Sequence, residues 1–374
     1  MFYPNKKLSV FYFEVFGPES AGNKYRTGKW RDILNANNFK TKSAYVFEYH
    51  EYLQLTSHAS SMPFFLMGFM WFRFWQILQS AFYDVVIVRR ELLMFNDYGN
   101  LFFEHLLFAI HAKRIIDFDD DIAAAKKEPR KISLFGKLLL EHPKKFSKSL
   151  KYYTHFMPGT NYLKNLAIQF HQDIKEEQML VLPTCVDYNS EPKKNYSLTR
   201  EEIIIGWVGT RSNAHNLNLI INSLNFLSSK YKIRLLVICN APYIVPALFP
   251  IEFIRWEEKN EVSNLLKMDV GIMPLENTAE QRGKCGFKLI QYMGCGIVSM
   301  ATALTINNEI IDDGINGFLV PPDADWTPYF EKVFQSRNQF PLIGKCAGEK
   351  IESNYSFSSN KDRVISFLKY AAHD

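Results

Sequence analysis

The stretch that decides the fold is DVGIMPLENTAEQRGKCGFKLIQYMGCGIVSMA, residues 269–301. It begins with an apolar run at 269–275 and ends with another at 296–301, and each run predicts a buried strand. Between them, the segment FKLIQYM at 287–293 has the pattern of a helix. A helix that connects two continuous apolar strands is typical of a parallel sheet covered on both faces.

Similar apolar runs recur along the chain, whose 374 residues are too many for a single core. Predicted strands of the first half lie at 8–13, 44–49, 84–89, 114–118 and 179–183. Those of the second half lie at 203–209, 233–239, 269–275, 296–301 and 317–322. The pattern predicts an α/β fold with two doubly wound, Rossmann-like domains that face each other across a cleft.

Domain boundaries follow from changes in composition along the chain. We expect a first domain at 1–186 and a linker at 187–202, where the polar segment DYNSEPKKNYSLTREE contains Pro192. The second domain is predicted at 203–345. The remaining segment, 346–374, is predicted to be helical and could pack back on the first domain.

Composition excludes general disorder, because 47% of the residues are hydrophobic and 22% are charged. The five cysteines form no CxxC pair, so neither a zinc knuckle nor a disulfide framework is indicated, and a cytoplasmic location is expected. The N-terminal apolar run contains Glu14 and lacks a small-residue cleavage site. It therefore predicts a first strand rather than a signal peptide.

Two neighbouring segments point to peripheral contact with the inner face of a membrane. Residues 62–78 carry no charge from Met62 to Phe72, but Arg73 then interrupts the run, which is too short to span a bilayer. Residues 126–151 hold nine lysines and arginines against two glutamates, a local net charge of +7. An apolar helix beside a basic patch is a common two-part anchor. A core helix and a solvated basic face remain the alternatives, and no nucleic-acid partner is expected.

Two strand-end loops of the second domain suit anions. In IIIGWVGTRSNAHNL, a strand ends in Gly209, Thr210 and Arg211, which offer close backbone approach, a hydroxyl and a guanidinium. In the opening stretch, three basic residues lie among glycines just before or within the first turn of a helix: Arg282, Lys284 and Lys288. A helix N-terminus favours anions, so a lysine there is best explained by a bound phosphate. Two such loops together predict a diphosphate site.

Several longer motifs, taken together, are more specific than the two loops alone. IGWVGTRSNAHNL, the opening stretch and NNEIIDDGINGFLV resemble the nucleotide-sugar-binding domain of GT-B glycosyltransferases of the family 4 type, strongly from about residue 203 to 322. In the first half, FGPESAGNKYR, YDVVIVRREL and IIDFDDDIA resemble the acceptor-side domain of bacterial members, more weakly. Neither a GxxxxGK[ST] nor a GxGxxG motif is present.

The resemblance implies a nucleotide-diphosphate sugar as donor substrate, with neither a metal nor a cofactor. Lys288 and Arg211 are the expected catalytic residues, because they would stabilise the departing diphosphate. Gln291 stands where relatives have a ribose-binding glutamate, and Gly283 replaces the other glutamate of that pair. The expected substrate-binding residues are Gly17, Gly209, Thr210, Trp256, Arg282, Lys284, Gly286, Phe287 and Gln291. Trp256 would lie near the nucleobase, unless it belongs to the core.

The function implied is transfer of a sugar to a glycan or lipid-linked acceptor in surface polysaccharide assembly, with retention of the anomeric configuration. A nucleotide-sugar epimerase and a catalytically silent binding protein are the alternatives. Roles that stay open are those of Gly17, which also suits an ordinary turn, and of the aspartates in DFDDDI. The latter, which could serve structure, acceptor binding or a metal, are Asp117, Asp119, Asp120 and Asp121.

Overall fold

The computed structural model describes residues 7–14, 16–18, 20–46, 48, 62–92, 101–124, 144–188, 191–197 and 201–374. The chain divides into two units. The first comprises Met1–Thr184 together with Asn360–Asp374, and the second comprises Cys185–Ser359. Each contains a parallel sheet with helices, which confirms the predicted α/β class.

The sheet of the first unit has the order β2-β1-β3-β4-β5 among the residues described, and all its strands are parallel. Its strands are β1 (Leu8–Phe13), β2 (Phe39–Ala44), β3 (Val85–Arg89), β4 (Arg114–Phe118) and β5 (His155–Pro158). Strands β3, β4 and β5 are buried along their whole length, because helices cover them. The order reverses between β1 and β3, and open α/β sheets bind ligands at such reversals.

Helices α1 to α6 belong to the first unit, with a π-helical turn at Lys24–Gly28 between the first two. Their bounds are α1 (Ala21–Asn23), α2 (Lys29–Ala36), α3 (Met62–Ser80), α4 (Phe102–Ile110), α5 (Lys145–Ser149) and α6 (Asn161–Phe170). The Thr160 side chain caps α6 by accepting a hydrogen bond from the amide of Leu163, at 3.1 Å. No helix in the described part of the chain is long and apolar enough to cross a membrane.

The sheet of the second unit has the order β8-β7-β6-β9-β10-β11. Its strands are β6 (Ile203–Gly209), β7 (Ile233–Cys239), β8 (Ile251–Arg255), β9 (Val270–Met273), β10 (Val298–Thr302) and β11 (Phe318–Val320). The order reverses between β6 and β9, which pair through Ile205 and Val270. The loops that leave these two strands therefore flank the position where a doubly wound sheet binds its ligand.

Both faces of this second sheet are covered. Along β6, Ile205 and Trp207 pack into one hydrophobic cluster, whereas Ile204 and Val208 pack into another on the opposite face. The helices are α7 (Asn218–Leu227), α8 (Glu261–Leu265), α9 (Ala279–Arg282), α10 (Phe287–Gly294), α11 (Asn307–Ile310), α12 (Thr327–Gln335) and α13 (Phe340–Asn354). Rossmann-like topology is thus confirmed for this unit.

The last helix, α14 (Phe357–His373), belongs to the first unit from Asn360 onward. There the buried ring of His155 on β5 lies edge-on to Phe367 and Tyr370, with centroid distances of 5.7 and 5.6 Å. The preceding helix α13 stays with the second unit.

Several strand predictions are confirmed, two are wrong, and strand β8 was not predicted. Strands β1, β4, β6 and β7 have the predicted bounds. The strand predicted at 44–49 is wrong, because β2 ends at Ala44 and carries alternating buried and exposed residues. The strand predicted at 179–183 is reduced to a bridge between Met179 and Phe156, since β5 takes its place. Strand β8 was missed, because it alternates between exposed and half-buried residues.

Candidate functional site

The loops after β6 and β9 come together at the reversal point of the second sheet. A Cβ atom added to Gly209 would lie 3.1 Å from Cε of Lys288 and 2.6 Å from the indole ring of Trp207. Gly209 therefore lies against the lysine, and any side chain at this position would displace one of the two neighbours. Two of the predicted site residues, 79 positions apart, are thus side by side.

Lys288 lies in the first turn of α10 and is half-buried. Its Nζ atom is 5.6 Å from the ring centroid of Trp207 on β6, close enough for a cation–π contact. The first turn contains no acidic residue, and no side chain caps it. The amides at this end can therefore donate to an external anion beside the lysine.

Gly286 immediately precedes α10 and sets the direction in which the helix starts. Its φ of 68° lies in the left-handed region, which glycine adopts without steric cost. An added Cβ atom would lie 2.5 Å from Cδ1 of Ile310, so there is also no room for a side chain at this position. Phe287 follows it and packs, partly buried, against the hydrophobic cluster beneath the sheet. Both predicted residues shape the helix start.

Thr210 and Arg211 extend from the end of β6 and are exposed. The Arg211 guanidinium lies over the ring of Tyr243 at 4.4 Å, and its backbone amide donates to Oδ1 of Asn240 at 2.8 Å. The Thr210 hydroxyl accepts a hydrogen bond from the side-chain amide Nδ2 of Asn213 at 2.9 Å. The predicted helix near this loop begins as a 3-10 helix. Asn240 and Tyr243 were not predicted, although they follow the carboxyl end of the neighbouring strand β7.

Gln291 and Trp256 converge on a residue that was not predicted, Glu261. Nε2 of Gln291 and Nε1 of Trp256 both donate to Oε1 of Glu261, at 3.0 and 3.2 Å. The Tyr188 hydroxyl donates to the other carboxylate oxygen at 3.4 Å. Gln291 and Glu261 are buried, and Trp256 packs partly buried against the same core as Phe287. The carboxylate therefore fixes the orientation of the glutamine amide and of the indole.

Comparison with known proteins identifies the domain that contains these residues. Residues 202–335 match the family model described as "Glycosyl transferases group 1". The chain carries a group 1 glycosyltransferase domain. The predicted family is thus confirmed for the domain that holds both anion-suited loops. The sequence has no significant match among curated proteins.

Solved glycosyltransferase structures with the GT-B fold align with 97–98% of the chain. A glycosyltransferase from Rickettsia africae ESF-5 is 14% identical, with a TM-score of 0.66 over 98% of both chains. HepE from Anabaena, in complex with UDP and glucose, is 11% identical, with a TM-score of 0.63 over 97% of this chain and 99% of its own. Sucrose-phosphate synthase from Thermosynechococcus elongatus is 10% identical, with a TM-score of 0.66 over 98% of this chain and 100% of its own.

The two other basic residues predicted for the site, Arg282 and Lys284, differ in their contacts. Arg282 donates through Nε and Nη2 to Oδ1 of Asn277, at 3.0 and 2.7 Å, so its guanidinium is held by its own loop. Its carbonyl also accepts from the Thr305 hydroxyl at 2.7 Å. Lys284 is half-buried, and within the described residues its side chain makes neither a hydrogen bond nor an ion pair. Lys284 is therefore better placed than Arg282 to meet an added anion.

Gly17 lies outside the glycosyltransferase domain, after β1 in the first unit. The carboxylate of Glu48 fills the space beside its Cα atom, so an added Cβ atom would overlap it. The Gly17 carbonyl accepts a hydrogen bond from the hydroxyl of Ser20 at 3.1 Å, as in a turn. Both the turn and a role in binding remain compatible with this position.

The aspartates after β4 are paired with arginines. Asp117 accepts hydrogen bonds from the buried Arg26 guanidinium, with Nη2 at 2.5 Å. Asp119 pairs with Arg89 and Arg90, at 3.2 and 2.8 Å. Asp120 forms an ion pair with Arg90 at 2.5 Å, and Asp121 accepts a hydrogen bond from the backbone amide of Ala123 at 3.0 Å.

These pairings oppose the effect of burial on Asp119. Burial by itself raises the pKa of the Asp119 carboxyl, but Arg90, Arg89 and Arg26 outweigh it and hold that pKa far below its usual range. The carboxyl therefore stays ionised. Among the described residues, no group of three potential ligand side chains is arranged to hold a metal ion. The contacts of these aspartates support a structural role.

Proposed function

We propose that the protein transfers a sugar from a nucleotide-diphosphate donor to an acceptor hydroxyl. The observation that carries this proposal is the juxtaposition of Gly209 with Lys288 at the reversal point of the second sheet. There the glycine places no side chain beside the lysine, the lysine supplies positive charge, and no side chain caps the amides at the start of α10. A diphosphate fits these three features together.

The chemistry follows from the leaving group. Cleavage of the bond between the sugar and the diphosphate leaves growing negative charge on the phosphate oxygens. Cations and amides fixed in advance stabilise that charge without reorganisation. Lys288 and Arg211 are the proposed catalytic residues, and Lys284 is the proposed further contact. These side chains would supply the charge compensation without a resident metal or cofactor.

The nucleoside is proposed to bind beside Gln291. The amide nitrogen of this residue is committed to Glu261, so its carbonyl oxygen is the atom left to accept from a ribose hydroxyl. Trp256 is held by the same carboxylate and could stack on the base. HepE from Anabaena was solved with UDP-glucose and a starch synthase from Arabidopsis with ADP, which supports a nucleotide in this fold.

The finer features of the reaction are proposals as well. We expect a glycan or lipid-linked acceptor, retention of the anomeric configuration, a role in surface polysaccharide assembly and a cytoplasmic location. The acceptor would bind at the first unit. A silent nucleotide-sugar-binding protein is the second candidate, because Gly283 and Gln291 replace the two glutamates of related sites.

The test combines calorimetry with turnover. UDP, ADP and GDP are titrated into the full chain and into the variant Lys288→Met, with Lys345→Met on the exposed side of α13 as the matched control. Loss of a charge-assisted contact to phosphate, worth about 1.5–3 kcal/mol, should weaken binding roughly 10- to 150-fold. Lys345→Met should bind as the parent does. Equal affinity in Lys288→Met would refute the site.

Turnover separates the enzyme from the silent binder. A panel of UDP-, ADP- and GDP-sugars is incubated with the protein, and release of the nucleoside diphosphate is measured. We expect release with one donor, at a rate that Lys288→Met lowers. If a nucleotide binds but no donor is hydrolysed or transferred, the binding-protein candidate replaces the enzyme. A change in the sugar that stays attached to its nucleotide would indicate the epimerase instead.

A further inference from the structure

Helix α3 has one buried stripe and, on its opposite side, an exposed stripe that is apolar. The buried stripe recurs every three or four positions and consists of Phe69, Arg73, Ile77 and Ser80. On the opposite side, Met67, Trp71 and Trp75 are 70%, 61% and 46% exposed. The two indole rings contact each other edge to face at 5.8 Å. Water-soluble helices usually place charged residues on such a side.

Helix α4 packs beside α3 and also exposes large apolar side chains. Phe102 and Phe108 are each more than half exposed. Its only acidic residue, Glu104, is buried, and α3 has no acidic residue. We call this surface the aromatic face, and it consists of Met67, Met70, Trp71, Phe72, Trp75, Phe102 and Phe108. Single exposed apolar residues are normal, but a cluster of this size marks an interaction site.

Positive charge borders the aromatic face at α4. The Arg114 guanidinium lies over the Phe108 ring at 4.7 Å, and the Tyr152 ring contacts the same phenylalanine at 5.8 Å. Lys151 lies over Tyr152 at 5.1 Å and is exposed, as is Lys148 one turn earlier. These lysines end the basic window 126–151, which is described only from residue 144 onward.

We propose that the aromatic face docks on an anionic lipid bilayer and lies in its interface without crossing it. Tryptophan suits the level of the lipid headgroups, and phenylalanine suits the apolar face of a helix that lies in that interface. Lysines beside them are attracted to the negative charge of an anionic leaflet. An acid-free apolar face with a basic border complements that surface in both hydrophobicity and charge. Only the exposed side of 62–78 takes part, because Phe69, Arg73 and Ile77 belong to the core.

Vesicle flotation tests this proposal with the full chain. Vesicles contain phosphatidylcholine alone or mixed with phosphatidylglycerol. We expect binding to the anionic vesicles, weaker binding to the neutral ones, and a decrease with added salt. The double variant Trp71→Gln, Trp75→Gln should bind at least about tenfold less, since it removes two large apolar side chains from the contact. Tryptophan fluorescence should shift to the blue on binding in the parent and not in this variant.

Two further variants complete the test. Lys148→Gln with Lys151→Gln should weaken binding to anionic vesicles and remove part of its salt dependence. The control Phe226→Gln with Ile244→Gln removes exposed apolar side chains of the second unit, 55% and 92% exposed, and should bind as the parent does.

Three results would overturn the proposal. They are no binding to anionic vesicles, equal binding by the Trp71→Gln, Trp75→Gln variant, and self-association without lipid that the same variant abolishes. The last would assign the face to a second copy of the chain. Nucleoside-diphosphate affinity, measured on each variant, should stay unchanged. A failure of lipid docking is thereby distinguished from a failure of the donor site.

Discussion

Substitution of Gly286 by alanine tests how the start of α10 builds the anion site. Gly286 has a φ of 68°, where a residue with a Cβ atom costs roughly 1–2 kcal/mol. The added methyl would also lie 2.5 Å from Ile310 and 3.3 Å from Ile306, and overpacking of this kind costs about 1–3 kcal/mol. Together these terms predict a loss of about 2–5 kcal/mol in the free energy of unfolding of the second unit.

Gly314→Ala is the matched control, because it isolates the backbone term. Gly314 has a φ of 76°, and an added Cβ atom would meet nothing within 4 Å. We therefore expect Gly314→Ala to lose only roughly 1–2 kcal/mol. The difference between the two variants measures the steric cost at the helix start. Gly286→Ala should also weaken nucleoside-diphosphate binding, because the helix start has to shift, whereas Gly314→Ala should not.

The assay is urea unfolding followed by circular dichroism, with and without a nucleoside diphosphate. The two units can unfold separately, so the transition that the nucleotide raises is assigned to the second unit. Calorimetry gives the nucleotide affinity of each variant. Equal destabilisation by the two alanines would refute the steric argument. Normal nucleotide affinity in a destabilised Gly286→Ala would show that the helix start does not form the anion site.

Three further predictions concern buried polar contacts. Tyr292→Phe removes the hydroxyl that accepts from the Val208 amide at 2.9 Å, and should cost about 1–3 kcal/mol of stability by urea unfolding; an unchanged midpoint would contradict this. Arg26→Met leaves the buried Asp117 unpaired and should destabilise the first unit by about 3–5 kcal/mol, while calorimetry finds parental nucleotide affinity. Asp119 has a lowered pKa, so its ionised carboxylate contributes fully to the stability of the first unit above about pH 4, and this stabilisation is lost as the pH falls below that value. Asp119→Asn should therefore show a shallower loss of stability in acid, and a parental pH profile would count against the ion pairs.

The strands show where sequence patterns succeed. Strands β6 and β7 lie inside a sheet covered on both faces, so their residues are apolar apart from Arg234 in β7, and their bounds could be read from the sequence. The edge strands β2 and β8 face solvent in part and alternate in polarity, which hides them among loop segments. Strand β5 is four residues long and ends in Pro158, too short for a pattern to indicate it.

The residues of the site likewise divide into those that the sequence could predict and those that it could not. Gly209 and Lys288 could be predicted together, because both follow strands whose carboxyl ends meet at one edge of the sheet. Glu261 could not be predicted, since it lies on a five-residue helix in a segment rich in acidic residues. Only its contacts with Gln291 and Trp256 distinguish it from its neighbours.

The sequence by itself determined the α/β class, the two parallel sheets and the glycine-rich, basic loop before α10. These depend on local patterns: apolar runs, helical spacing, and residues whose backbone freedom or charge is intrinsic. Tertiary structure alone decided that Arg282 is held by Asn277, that Glu261 orients Gln291, and that one side of α3 is exposed. Those features depend on which side chains meet, and which side of a helix is covered, once the chain is folded, and residue type does not encode either.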